Sequence, residues 1–189
     1  MLKRVFWTVV MTAGLAAGTA AAATYTVTNA NDSGSGSFRQ AVLDANGNAG
    51  PDVIAFSISF STITIASYIR VDDTVDIQGT GYNMISGAGS SNGVYFAAGS
   101  DGSTVTGLAF IQMTGYGLNL ASNANRVYDC RFGTNWSGTG GLGNNIGLSV
   151  SGHYNDIGGT LSAGYNVMSG NASYGRSVYD GISNRVHGK

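Results

Sequence analysis

One proline, no glutamate, and lysine only at Lys3 and Lys189: the chain is missing most of the residues with which α-helices are built and solvated. Helices are therefore expected to be few. Charged residues make up only 10% of the 189 residues, against 43% hydrophobic, which excludes a chain too polar to collapse around a core. Cys130 is the single cysteine, so no intramolecular disulfide can form and stability has to come from packing and hydrogen bonds. In the stretch VYDCRF that thiol reads as a small core residue rather than a nucleophile. The few basic residues offer no face for nucleic acid.

What is present begins with a leader-like segment. MLKRVFWTVVMTAGLAAGTAAAA has a short basic start (Lys3, Arg4), an apolar run from Val5 to about Leu15, and a small-residue end with Ala21 and Ala23 in A-x-A spacing. It reads as a removable secretion signal over residues 1–23. A membrane anchor is the competing reading, but the second half is Ala, Gly and Thr rather than Leu and Ile. Contact with a membrane is expected only through this segment, if it stays uncleaved.

Glycine is abundant, at thirty residues, and its placement is periodic. GYNMISG at 81–87 returns as GYNVMSG at 164–170. Four further segments open on glycine and continue as short strand-like runs: GVYF at 93, GLNL at 117, GLSV at 147 and GRSV at 175. A second series keeps step with them: TVTG at 104, NRVYD at 125, NDIGG at 155 and NRVHG at 184. Short alternating strands repeating every 22 to 30 residues predict a β-solenoid, each repeat one coil, with equivalent residues stacked in columns about 4.8 Å apart. Val105, Val127, Ile157 and Val186 form one expected inward column, and Val94, Leu118 and Leu148 another. Asn125, Asn155 and Asn184 form a third, at a turn, where each amide can bond the next. The twice-written phrase is then architecture, with Asn83 and Asn166 at equivalent turns of different coils.

The first coil is expected over residues 52–79. Before it, GSFRQAVLDANGN is the one convincing helix: Ser37 caps it with Gln40 three residues on, and Phe38, Ala41, Val42 and Ala45 share a face. Residues 24–51, TYTVT plus this helix, are the expected N-terminal cap of an all-β fold of about five coils that occupies residues 52–189.

TYTVTNANDSGSGSFRQAVLDANGNAGPDVIAF resembles the N-terminal segment of large bacterial secreted and cell-surface proteins that continue as right-handed parallel β-helices of the pectin-lyase-like superfamily, and NDIGGT and NVMSGN resemble their repeat phrases. The resemblance implies that handedness and an extracellular or cell-surface location in a bacterium. It leaves function open, since the superfamily includes lyases, hydrolases, epimerases and adhesins. Such proteins usually carry more coils, so a chain stopping at Lys189 is expected to be truncated.

No lyase or hydrolase motif of that superfamily matches, so no catalytic residue is carried over. Asp129, Asp156 and Asp101 fall at different offsets from the aliphatic column, which leaves no expected carboxylate pair. Asp72, Asp73 and Asp76 cluster between two strands of the first coil, as a calcium-dependent lyase would require, or form a plain solvated turn. No other cofactor is expected. Arg126, Asp156 and Arg185 are expected in one outward column of alternating sign, either gripping an acidic sugar or forming a surface ion-pair ladder. Trp136, in the insertion GTNWSGTGGLGNN, stands ready to stack on a sugar or folds back over the core. The expected function is a non-catalytic adhesion or carbohydrate-contact module, whose partner is an extracellular polysaccharide or cell-surface glycan. A polysaccharide lyase or hydrolase, and a truncated passenger without independent activity, are the alternatives. An uncovered last coil adds an expectation of self-association.

Overall fold

The computed structural model describes residues 21–88, 92–159, 164–179 and 181–187. The expected leader lies outside the described residues as far as residue 20. The rest winds as a right-handed parallel β-solenoid of about six turns with one short helix. Each turn has three sides. β1 (Thr24–Val27) and α1 (Phe38–Gly47) start the stack. The next coil is β2 (Asp52–Phe56), β3 (Thr62–Thr64) and β4 (Ile69–Val71). Then β5 (Val75–Ser86) bends across the first two sides and β6 (Val94–Phe96) makes the third, a plan repeated by β7 (Thr104–Ile111) and β8 (Tyr116–Leu120). β9 (Arg126–Tyr128), β10 (Arg131–Phe132) and β11 (Ile146–Val150) follow, then β12 (Asp156–Ile157), β13 (Val167–Met168) and β14 (Tyr174–Val178), and β15 (Arg185–Val186) opens another turn. Turn count exceeds the expected five because β1 pairs in register with β2, so the cap is itself a rung.

The expected columns are present and longer than anticipated. On the first side Tyr25, Ile54, Ile77, Val105, Val127, Ile157 and Val186 are successive partners. On the third side Ile69, Val94, Leu118 and Leu148 stack, and Arg176 takes the same position in β14. Second-side Phe110 and Phe132 stack with ring centroids 5.3 Å apart and planes 10° from parallel. Gly93, Gly117, Gly147 and Gly175, at the start of four of the five third-side strands, also form a column. A Cβ on Gly117 would stand 2.7 Å from the Gly147 carbonyl, and one on Gly147 would meet that of Gly175, so only hydrogen fits between rungs.

Polar ladders brace the turns. Asn125 accepts from the Ser103 N–H (3.0 Å), Asn155 from the Asn125 N–H (2.8 Å), and Asn184 from the Asn155 N–H (2.8 Å). Two ladders escaped the sequence reading. Asn144 and Asn171 make one, and the other runs from Asp101 through Asn123 to His153, whose Nδ1 accepts from the Ile182 N–H. Asn83 and Asn166 do occupy equivalent positions, each preceding the residue paired in the Met84, Ala109, Arg131, Val167 column. The helix closes the first end as expected. Ser37 accepts from the Gln40 N–H at 3.1 Å, while Phe38, Ala41, Val42 and Ala45 are buried. Arg39 pairs with Asp32 inside the cap (2.7 Å) and ties the cap to the first coil through the Ser67 carbonyl (2.7 Å). Among the described residues no helix is long and apolar enough to cross a membrane.

Candidate functional site

A difference in corner length makes the most structured surface feature. In the β7 coil the corner between the first two sides is Gly107 alone, at φ +68°, because Thr106 and Leu108 already belong to the flanking columns. The coil below inserts residues 79–82 opposite that single glycine. The coil above puts Asp129 at the equivalent position in the same left-handed conformation (φ +51°). Beside the short Gly107 corner the inserted residues below leave a notch of about 300 Å³, lined by Thr80, Gly81, Tyr82, Asp129, Arg131 and Trp136. The loop carrying Trp136 is folded back by a bridge between Thr134 and Gly141.

Aromatic rings continue the notch downward. Tyr82 stacks on Phe60 at 4.3 Å and meets Trp136 edge-on at 6.1 Å, and the Arg131 guanidinium lies 4.5 Å from the indole centre. Trp136 is half-buried and its Nε1–H is buried without an acceptor among the described residues, so the ring is braced by the protein while sharing a surface with Tyr82. Phe60 is 77% exposed and sits at φ +51°, a backbone region that a bulky side chain occupies only at a cost of about 1–3 kcal/mol. An exposed ring on a strained residue does little for the fold. Burial raises the pKa of Asp129, and the neighbouring Arg131 charge partly offsets this. Of these residues the sequence reading singled out only Trp136; Phe60 and Tyr82 meet because they belong to successive coils.

The second predicted group also assembles. Asp156 pairs with Arg126 on one side and Arg185 on the other, so the column of alternating sign is present. Its close contact is elsewhere: the Asp156 carboxylate lies 3.1 Å from His187 Nε2, an ion pair when that imidazole is protonated, while neither arginine ion-pairs with a described residue. Arg126 instead lies over the Tyr128 ring at 5.7 Å. The two guanidiniums therefore face a shallow groove of about 480 Å³, with exposed Tyr154 among its lining residues. Asp76 and Asp156 share this outward column, yet Thr104 and Arg126 intervene, so three rungs or about 14 Å separate them, beyond the reach of a hydrolytic carboxylate pair.

Asp72, Asp73 and Asp76 are not brought together. Asp72 pairs with Arg70 at 2.7 Å, Asp73 accepts from the Thr74 N–H at 2.7 Å, and Asp76 accepts from Gln78 at 2.6 Å. Among the described residues no group of three His, Cys, Asp or Glu side chains is placed to hold a metal ion. These aspartates do not fit calcium. On the third side Tyr68, Tyr95 and Tyr116 line a smaller recess of about 210 Å³ with Asn92 and Asn119. No protein-family model, curated protein or solved structure matches the chain.

Proposed function

We propose that the chain is an exported, pectin-lyase-like β-helix of a bacterial surface or secretome that contacts carbohydrate without cleaving it. The observation that carries this reading is the strip Phe60, Tyr82 and Trp136, running into a notch that ends on Asp129 and Arg131. Aromatic faces take the apolar C–H face of a pyranose ring, and a carboxylate with a guanidinium beside it satisfies the hydroxyls at the ring's edge. Exposed aromatic surface of this kind marks an interaction site more often than it serves the fold. Among the described residues Asp129 is the single carboxylate lining the notch, whereas glycoside hydrolysis generally uses two, and so the proposal is binding.

A glycan array followed by titration of the best binder tests it. Trp136→Ala and Phe60→Gly are each expected to weaken binding by about tenfold, as loss of one stacked ring predicts. Absence of any bound glycan, or undiminished affinity in the double variant, defeats the proposal. Incubating the chain with pectin and alginate and reading the ultraviolet absorbance of unsaturated products tests the lyase alternative; turnover replaces binding with catalysis. Binding abolished by Arg126→Ala with Arg185→Ala, and indifferent to Trp136, transfers the site to the first-side groove.

A further inference from the structure

Asp52 is a buried carboxylate with too few partners. The residue is 1% exposed at the start of β2. Its Oδ1 accepts from the Ala23 backbone N–H at 2.7 Å and from Asn48 Nδ2 at 2.8 Å, while Oδ2 is buried with no donor among the described residues. Neither donor is charged. A carboxylate taken out of water without a cationic partner is costly, and backbone amide plus carboxamide do not compensate it. The position of this carboxylate is informative, because it lies against Ala23, the residue that precedes β1. Ala23 is half-buried, its carbonyl accepts from the Val53 N–H at 2.8 Å, and it leads directly into β1. Ala21 and Ala22 are exposed, and Asn48 Nδ2 donates to the Ala21 carbonyl at 3.2 Å.

From this we infer that the leader is removed between Ala22 and Ala23, and that Asp52 is the receptor for the α-ammonium group so created. The inference rests on the export reading above. Hydrolysis of the Ala22–Ala23 amide by an export peptidase consumes one water, leaving Ala22 as a carboxylate and Ala23 as an ammonium. The new terminus has three donors and a positive charge where the intact chain has one neutral N–H, within reach of Oδ1 and of the orphaned Oδ2. Ala20 and Ala22 satisfy the small-residue spacing as well as Ala21 and Ala23 do. Geometry separates the two registers. Cutting after Ala23 would remove the carbonyl that holds Val53 and the donor that holds Asp52; cutting after Ala22 keeps both.

Defined termini test the ion pair. A fusion is cleaved to leave a chain beginning at Ala23, and a second to leave one beginning at Ala22, which restores a neutral amide at the Ala23 nitrogen. At neutral pH and low salt the Ala23 chain is expected to melt higher by about 2–4 °C, and the gap is expected to vanish in Asp52→Asn. Equal midpoints, or a gap that persists in Asp52→Asn, overturn the inference. Should Asp52→Asn not fold, acetylating the Ala23 amine makes the same comparison, with loss of the gap expected. Intact mass of protein collected after expression in a secreting bacterial host tests the cleavage itself. A mass beginning at Ala23 supports it, a cut at any other bond overturns it alone, and an uncleaved chain defeats both this inference and the export reading.

Discussion

Residues at the corners show opposite uses of burial. Desolvation raises Asp129 above the ordinary carboxylate value, so the folded chain holds that proton to a higher pH than the unfolded chain does. Ionised Asp129 therefore opposes folding above its folded-state value and contributes nothing below its unfolded one. Asp129→Asn, which also suits the left-handed backbone, is expected to raise the thermal midpoint at neutral pH, with the gain vanishing as pH falls through the carboxylate range; a gain that persists in acid contradicts the assignment. Cys130, one step inward at the same corner, is fully buried, and burial drives its thiol up to about 12. At pH 8 the folded chain is expected to resist maleimide, and labelling should rise only with denaturant, along the same curve as unfolding. Rapid labelling of the native protein would place the thiol at the surface.

At the scale of strands and turns, spacing matters more than residue type. A Cβ placed on Gly117 would stand 2.7 Å from the Gly147 carbonyl, 3.0 Å from Phe110 Cβ and 3.1 Å from the Asn144 amide. Gly117→Ala is expected to cost about 1–3 kcal/mol, read as a lower denaturant midpoint at unchanged slope. No loss would mean that the rungs are further apart than the column requires. The same regularity made the coils legible in advance. Val105, Val127, Ile157 and Val186 alternate with outward residues, and each aliphatic residue is preceded by a turn signal, so their stacking could be read from intervals alone. Corners were not legible in this way. Residues 79–82 oppose Gly107 alone, and the loop from Gly133 to Asn145 departs from the repeat, so their register is set by contacts between coils rather than by local pattern. That is why Trp136 could be noticed as an exposed candidate while Tyr82 and Phe60 could not be placed beside it. It is also why Asp156 was assigned to the correct column while its close contact with His187 was not foreseen.

Across the molecule, a stack whose coils touch only their neighbours has stability that varies along its axis. The first coil is covered by α1, and the central coils are buried on their inner faces, with strands such as β7 and β11 nearly inaccessible throughout. Toward β13, β14 and β15 the described residues become exposed, Val178 and Val186 among them. Asn155 sits at the junction between these regimes. It is fully buried, accepts from both the backbone and side-chain amides of Asn125 (2.8 and 2.9 Å), and donates from its own backbone to Asn184. Asn155→Ala leaves the buried Asn125 N–H unmet, at about 1–3 kcal/mol, and removes the Asn155 donor to the Ser122 carbonyl, while the coils from β2 to β7 keep the contacts they make with one another. In a solenoid that loss need not be shared. Amides of β12, β14 and β15 are then expected to exchange hydrogen at least about tenfold faster in Asn155→Ala, whereas those of β5, β6 and β7 keep their native rates. A uniform acceleration through every strand would show that the coils open as one unit, and that the ladders bind the whole stack together rather than each rung to the next.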